Sequence, residues 1–178
     1  MVSMSNQRSL VIDGALGFSI VAIVERRGEE LFCAAENVQF ELPLLQRIAS
    51  LLPDRAQREA LSDVVVGSGP GSYSGIRIAA SAAVGIATAL ALPLREAPSD
   101  RALWSAVHRS FSIPLGTRES LEVHERDSAV ISREAASPLL QHDDVRVRGA
   151  CALVREAGPE VPHVTLRYPA PARGSEAR

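Results

Sequence analysis

The segment 64–94 limits the fold more than any other part of the chain, because a strand, a loop and a long helix follow one another within it. Its first residues, 64–66, are β-branched and apolar, as in a buried strand, and a loop of Gly, Ser and Pro follows. The helix predicted over 74–92 carries a small residue at every fourth position: Gly75, Ala79, Ala83, Ala87 and Ala91. Residues four apart share one face of a helix, so this row allows another backbone to approach closely.

Three interpretations of this helix are consistent with its composition. It can be a core helix that packs flat on the chain's own sheet, or a helix–helix interface with a second copy or a partner protein. The third interpretation is a membrane span, because the apolar run approaches the ~20 residues that cross a bilayer. We reject the span, since the run opens with a strand and a loop and its alanines are weakly hydrophobic. The residues alone leave the first two interpretations open.

The order of the predicted elements indicates the fold class. In the first half, three strands, a helix, a strand and the long helix are predicted, at 10–12, 18–24, 30–35, 41–52, 64–66 and 74–92. This order is typical of an α/β fold of the ribonuclease-H-like or actin-like kind. The second half gives weaker patterns for a helix, a hairpin across Gly116, a helix and a last strand, at 97–107, 110–125, 145–157 and 164–168, with 129–140 ambiguous. We expect an N-terminal domain over 1–95, a second lobe over 96–168 and a disordered tail over 169–178.

The composition excludes several classes of site. All 19 basic residues are Arg, so neither a P-loop of the GK[ST] kind nor a Schiff-base lysine can be present. The net charge of −2 gives no sign of a nucleic-acid or membrane surface. The four His residues stand at no metal-ligand spacing, and Cys33 and Cys151 form no CxxC pattern, so we predict no metal site and two reduced thiols. The first residues lack the apolar stretch of a signal peptide, and we expect a cytoplasmic protein.

Two features are candidates for contact with a phosphate or a nucleotide. Asp13 follows the first predicted strand, and the loop with Gly69, Gly71 and Ser72 precedes the long helix, where amide groups can face an anion. Each feature also has a simpler explanation, because Asp13 can hydrogen-bond its own turn and Ser72 can cap the helix. The loop matches neither GxGxxG nor the GxSxG nucleophile elbow, and sequence order assigns no Ser–His–acid triad. We therefore predict no catalytic residue.

Four segments resemble a known family. The stretch GSGPGSYSGIRIAASAAVGIATALALPL resembles the signature of the TsaB (YeaZ) family, GxGPGSFTGLRIG followed by a helix of small residues. The segment LVIDGALGFSIVAIV is similar to that family's opening, ELPLLQRIASLL to its first helix, and VTLRYPAP to its usual close. The resemblance is strong over 10–95 and weak over 96–160. A strand like the family's DARRGEVY is missing from the sequence, so the second half looks shortened or diverged.

The resemblance implies an actin-like (ASKHA) α/β fold with a reduced second lobe. It also implies a non-catalytic partner of a TsaD-type transferase, in the synthesis of N6-threonylcarbamoyladenosine in tRNA. No peptidase activity is expected, despite the family's older label of M22 glycoprotease. In that family two helices dock on TsaD, and a TsaE-type ATPase then joins the pair. Mapped onto this chain, the docking residues are Leu45, Ile48, Gly75, Ala79, Ala83 and Ala87. The same surface is expected to form a homodimer in isolation, with no membrane contact and only indirect contact with tRNA.

Two alternatives remain at this stage. The chain can be a small actin-like nucleotide-binding enzyme, of the kinase or ATPase kind, that uses Asp13 and the glycine loop. It can also be a diverged homodimer without a role on tRNA. Asp13 is followed by Gly14 and Ala15 rather than by the family's Thr-Ser, so no neighbouring hydroxyl can hold a phosphate. We therefore predict that this chain binds no cofactor alone and that ATP can bind only in the complex.

Overall fold

The computed structural model describes residues 7–115 and 118–169. The first half contains β1 (Gln7–Asp13), β2 (Ile20–Arg27), β3 (Glu30–Glu36), α1 (Leu44–Leu51), α2 (Arg55–Glu59), β4 (Asp63–Gly67), α3 (Tyr73–Leu90) and β5 (Leu94–Ala97). The second half contains α4 (Ser99–Val107), β6 (Phe111–Pro114), β7 (Glu119–Val123), β8 (Ser128–Ser132), a 3₁₀ turn (Arg133–Ala135) and α5 (His142–Glu156).

The central sheet is mixed, with the strand order β3-β2-β1-β4-β5. The first three strands form an antiparallel meander, whereas β4 and β5 run parallel to β1. Parallel strands need a crossover, and α3 supplies it between β4 and β5. The middle strands are covered on both faces, which explains the unbroken apolar runs at 10–12 and 64–66. The predicted order of strands and helices in the first half is confirmed.

Two hydrophobic cores lie on opposite faces of this sheet, because successive strand residues point to opposite sides. Leu10 and Val64 belong to the core beneath α1 and α3. Val11 and Val65 belong to the other core, which they share with α4, α5 and a second, antiparallel sheet of order β6-β7-β8. The elements of the second half therefore pack on the sheet of the first half. The predicted domain boundary at residue 95 falls within β5, and the division itself stays a prediction.

Some sequence predictions differ from the structure. The charged segment 53–62 contains the short helix α2, and β5 has the mixed sequence LREA, so neither element shows a clear apolar period. The ambiguous segment 129–140 contains most of β8 and the 3₁₀ turn. The strand predicted over 164–168 is wrong, because that segment forms no regular secondary structure. Gly116 and residues 170–178, for which a turn and a disordered tail were predicted, lie outside the described residues.

Candidate functional site

The small-residue row of α3 faces the chain's own sheet. Ala83 is 0% exposed, and Ala79, Ala87 and Ile48 of α1 are buried in the same core. At Gly75, an added Cβ would overlap the carbonyl oxygen of Gly14, so the row does permit a close backbone approach, but within the chain. This corrects the expectation that Gly75, Ala79, Ala83 and Ala87 on α3 and Ile48 on α1 contact a partner, since these residues already pack within the chain.

The opposite side of α3 is apolar and exposed. A groove of about 600 Å³ runs between α1 and α3, here called the α1–α3 groove. Leu45 on α1 is 63% exposed and Ile78 on α3 is 58% exposed. At Gly85 an added Cβ would meet no atom within 4 Å, so the groove is open there. The lining residues are Leu44, Leu45, Arg77, Ile78, Ser81, Ala82, Gly85 and Ile86.

An exposed apolar surface of this kind marks interaction sites in soluble proteins. Of the predicted docking residues, the structure leaves Leu45 fully at the surface. Ile78, Ala82 and Gly85 also line the groove, although they were not among the predicted docking residues. The available signal was their spacing, because positions 78, 82 and 85 follow a second helical stripe beside the small-residue row.

One helix in the described part of the chain, α3, is long and apolar enough to cross a membrane by length and composition. Its small-residue face packs on β1 and β4, as a core helix does. The outward face that remains is the one that lines the α1–α3 groove. We therefore interpret α3 as a sheet-packed helix with one apolar face left open.

The glycine loop uses its polar groups for the chain's own packing. The Ser72 N–H donates to the Ala15 carbonyl (2.8 Å), and the Ser72 hydroxyl accepts a hydrogen bond from the Gly75 N–H as the N-cap of α3. The Gly69 N–H donates to the Ser99 hydroxyl (3.1 Å). A Cβ at Gly71 would overlap the Ala15 carbonyl. The structure thus brings the loop onto the turn after β1, as a contact within the fold.

The segment 160–169, which is neither helix nor strand, covers the loop from the other side and is here called the C-terminal strap. The Arg167 N–H donates to the Ser68 carbonyl (2.8 Å), and its guanidinium donates to the Asp100 carboxylate (2.9 Å). A Cβ at Gly69 would overlap the Arg167 carbonyl, and Gly69 has a φ of +88° that suits glycine. The strap therefore contacts the same loop that the sequence suggested for a phosphate.

Asp13 lies at the carboxyl end of β1 and is 1% exposed. Its Oδ1 accepts a hydrogen bond from the Ala15 N–H (2.8 Å), which confirms the turn interpretation. Its Oδ2 has no hydrogen-bond partner among the described residues, and a Cβ at Gly67 would overlap the carboxyl group. Burial raises the pKa of Asp13 from 3.8 to about 6, although the Ala15 N–H opposes the rise. The sequence did not reveal this burial.

Other candidate chemistry is sparse in the described ranges. No group of three or more His, Cys, Asp or Glu side chains there could hold a metal ion. Ser110 Oγ and His124 Nδ1 are hydrogen-bonded (2.8 Å) at the exposed ends of β6 and β7. Within the described segments, no carboxylate bonds to the other nitrogen of the His124 ring. The pair therefore lacks the acid that orients the base in a catalytic triad.

A protein family matches part of the sequence, and solved structures match most of the fold. Residues 43–110 match the family model described as TsaD: tRNA N6-adenosine threonylcarbamoyltransferase. This stretch begins at the proline before α1 and includes α3 and α4. No curated protein shows a significant match to the sequence.

Two solved structures share the fold. One is the crystal structure of an uncharacterized protein with similarity to peptidase YeaZ from Pseudomonas aeruginosa, with a TM-score of 0.52 and 19% sequence identity, covering 76% of this chain and 71% of that one. The other is YeaZ from Pseudomonas aeruginosa, with a TM-score of 0.51 and 16% identity over the same shares of the two chains. At this identity the likeness concerns the fold, which is the actin-like α/β fold of YeaZ. The chain thus resembles the TsaB/YeaZ family in the signature around its glycine loop, matches a TsaD family model over 43–110, and shares its fold with YeaZ.

Proposed function

We propose that this chain is a non-catalytic partner of a TsaD-type transferase in the synthesis of N6-threonylcarbamoyladenosine in tRNA. The observation that carries the proposal is the exposed apolar groove between α1 and α3. The TsaD family match over 43–110 and the fold shared with YeaZ support this role. The cytoplasm, where tRNA is modified, stays the expected location.

The groove suits a helical partner. α3 has 18 residues and is therefore about 27 Å long, so it can pack along a second helix over several turns. Leu45 and Ile78 project from the two walls, and Gly85 with Ala82 leaves room between them. Helices of two proteins pack when protruding side chains fill such gaps. Each large aliphatic side chain that is newly buried contributes about 1.5–3 kcal/mol.

The occupant that we propose is the corresponding helix pair of the TsaD-type transferase. A second copy of this chain competes for the same groove when the partner is absent, which accounts for the expected homodimer. We propose that the TsaE-type ATPase and ATP join only after this pair has formed, and that tRNA is held through the complex. The docking surface in this proposal consists of Leu45, Ile78, Ala82, Gly85 and Ile86.

A matched pair of variants tests the docking surface. Ile78→Arg places a charge in the groove, whereas Val147→Arg makes the same change on α5, where Val147 is 48% exposed. Both sites are at the surface, so both variants are expected to fold. Affinity for the TsaD-type protein of the same organism, measured by calorimetry, is expected to fall about 30-fold or more for Ile78→Arg.

Val147→Arg is expected to bind the partner like the unmodified chain, because it lies away from the α1–α3 groove. Equal binding by the two variants would place the interface elsewhere. Binding by neither the variants nor the unmodified chain would favour the alternative of a diverged homodimer.

A further inference from the structure

A polar cavity of about 240 Å³ lies away from the α1–α3 groove, with walls from three separate parts of the chain. The first turn of α4 contributes Asp100 and Arg101, and the turn between β7 and β8 contributes His124, Arg126 and Asp127. Arg167 of the C-terminal strap closes the third side. Three guanidinium groups therefore line one small cavity in a chain whose net charge is −2.

The charges of this cavity are only partly balanced. The Arg167 guanidinium donates to the Asp100 Oδ1 (2.9 Å), and Asp100 also accepts a hydrogen bond from the Ser128 hydroxyl (3.3 Å). Asp100 is buried, so this ion pair fixes Arg167 in place. Arg101 and Arg126 are exposed, and within residues 7–115 and 118–169 no carboxylate pairs with either side chain. Among the described residues of the lining, Asp127 is then the one acid left to balance the side chains of Arg101 and Arg126.

We propose that this cavity binds a phosphate group, held by Arg101 and Arg126 with Arg167 behind them. A guanidinium presents a planar fork of N–H donors that matches the oxygens of phosphate, and several forks suit an anion with several oxygens. The inference does not depend on the proposed docking function.

The size of the cavity restricts the ligand. Sites for drug-sized molecules occupy about 300–1,000 Å³, so a cavity of 240 Å³ suits a group of the size of phosphate better than a whole nucleotide. A phosphate group can come from a free phosphorylated molecule or from the backbone of an RNA strand. The chemistry of recognition is the same, and the two sources differ in the dependence of binding on salt.

The test compares three proteins: the unmodified chain, Arg101→Ala/Arg126→Ala, and the matched control Arg118→Ala/Arg148→Ala. The control removes two exposed arginines that do not line the cavity. Arg167 is left unchanged because it also bonds to the glycine loop. Binding of inorganic phosphate is measured by calorimetry, and binding of a short unstructured RNA by fluorescence anisotropy at several salt concentrations. Thermal unfolding of all three proteins checks their folding.

The proposal predicts that at least one probe binds the unmodified chain and the control, and binds Arg101→Ala/Arg126→Ala about tenfold more weakly or worse. Phosphate binding without RNA binding would identify a free phosphorylated ligand. RNA binding that phosphate displaces, with a shallower salt dependence in the cavity variant, would identify the RNA backbone. The proposal is overturned if neither probe binds the unmodified chain, or if the control loses as much affinity as the cavity variant.

Discussion

The buried carboxyl of Asp13 leads to a prediction about stability and pH. Asp13 is 1% exposed, and its Oδ2 has no hydrogen-bond partner in the part of the chain that the structure describes. Burial raises its pKa from 3.8 to about 6. In the substitution Asp13→Asn, the side chain keeps its shape and an acceptor for the Ala15 N–H, but it cannot ionise. The variant removes the charge and places an amide NH2 group where Oδ2 lies.

The sign and size of the effect follow from proton linkage. Between pH 3.8 and about 6 the unfolded chain has lost the Asp13 proton while the folded chain keeps it, so the free energy of unfolding falls as pH rises. Below this window Asp13 is protonated in both the folded and the unfolded chain. Above it Asp13 is ionised in both, and the cost of burying its charge lowers the free energy of unfolding in full. A pKa raised from 3.8 to about 6 corresponds to about 3 kcal/mol. Asp13→Asn is therefore expected to stabilise the chain by up to about 3 kcal/mol above this window.

Urea unfolding of both proteins from about pH 4 to about pH 8 measures this difference. The difference in the free energy of unfolding is expected to be smallest at the acid end and to rise to a plateau above about pH 6. The other titrating groups are the same in both proteins, so their contributions to the free energy of unfolding cancel in the difference. The variant Asp127→Asn controls for the loss of one negative charge at an exposed position. A difference that is independent of pH, or that favours the unmodified chain at neutral pH, would refute the reasoning.

Two further predictions concern the packing. Gly75→Ala is expected to lower the free energy of unfolding by about 1–3 kcal/mol, because its Cβ would overlap a backbone carbonyl. Gly85→Ala on the open face of the same helix is instead expected to raise it by up to about 1 kcal/mol, and comparing their urea midpoints gives the contrast. Arg47→Ala is expected to cost about 3 kcal/mol or more, since the buried guanidinium bonds to the carbonyls of Ser19 and Asn37. Arg47→Lys is expected to recover only part of that loss in thermal unfolding, because an ammonium group lacks the planar fork.

The sequence predicted the first half of the fold because its signals are local. Strands β1 and β4 contain the apolar runs 10–12 and 64–66, and α3 is long and regular. The strand β5 has four residues of mixed polarity, and α2 has five residues, so neither shows a period that can be recognised. Length and regularity decided which elements could be found.

The small-residue row shows how far such a pattern can be interpreted. The sequence correctly indicated a close backbone approach at Gly75, but it could not say which backbone approaches. The pattern is the same for a helix packed on its own sheet and for one packed on a partner. Only the positions of β1 and β4 under α3 decide that the row is internal and that Ile78 faces outward.

The polar site depended on long-range contacts. The hydrogen bond of Asp13 to its own turn is local and was predictable. Its burial depends on the approach of Gly67, and the cover over the glycine loop comes from Arg167, 98 residues after Gly69. No spacing in the sequence relates segments so far apart. The phosphate contact suggested for Gly69 and Ser72 therefore could not be distinguished from internal packing before the structure was known.

Docking of the chain on a TsaD-type transferase is tested by measuring the molar mass of the species that form when the two proteins are mixed. Size-exclusion chromatography with light scattering is run on this protein, on the TsaD-type protein of the same organism, and on their mixture. A new species is expected in the mixture, with the summed mass of one copy of each protein, formed at the expense of any homodimer. Two unchanged peaks, with no mixed species at any ratio of the two proteins, would contradict it.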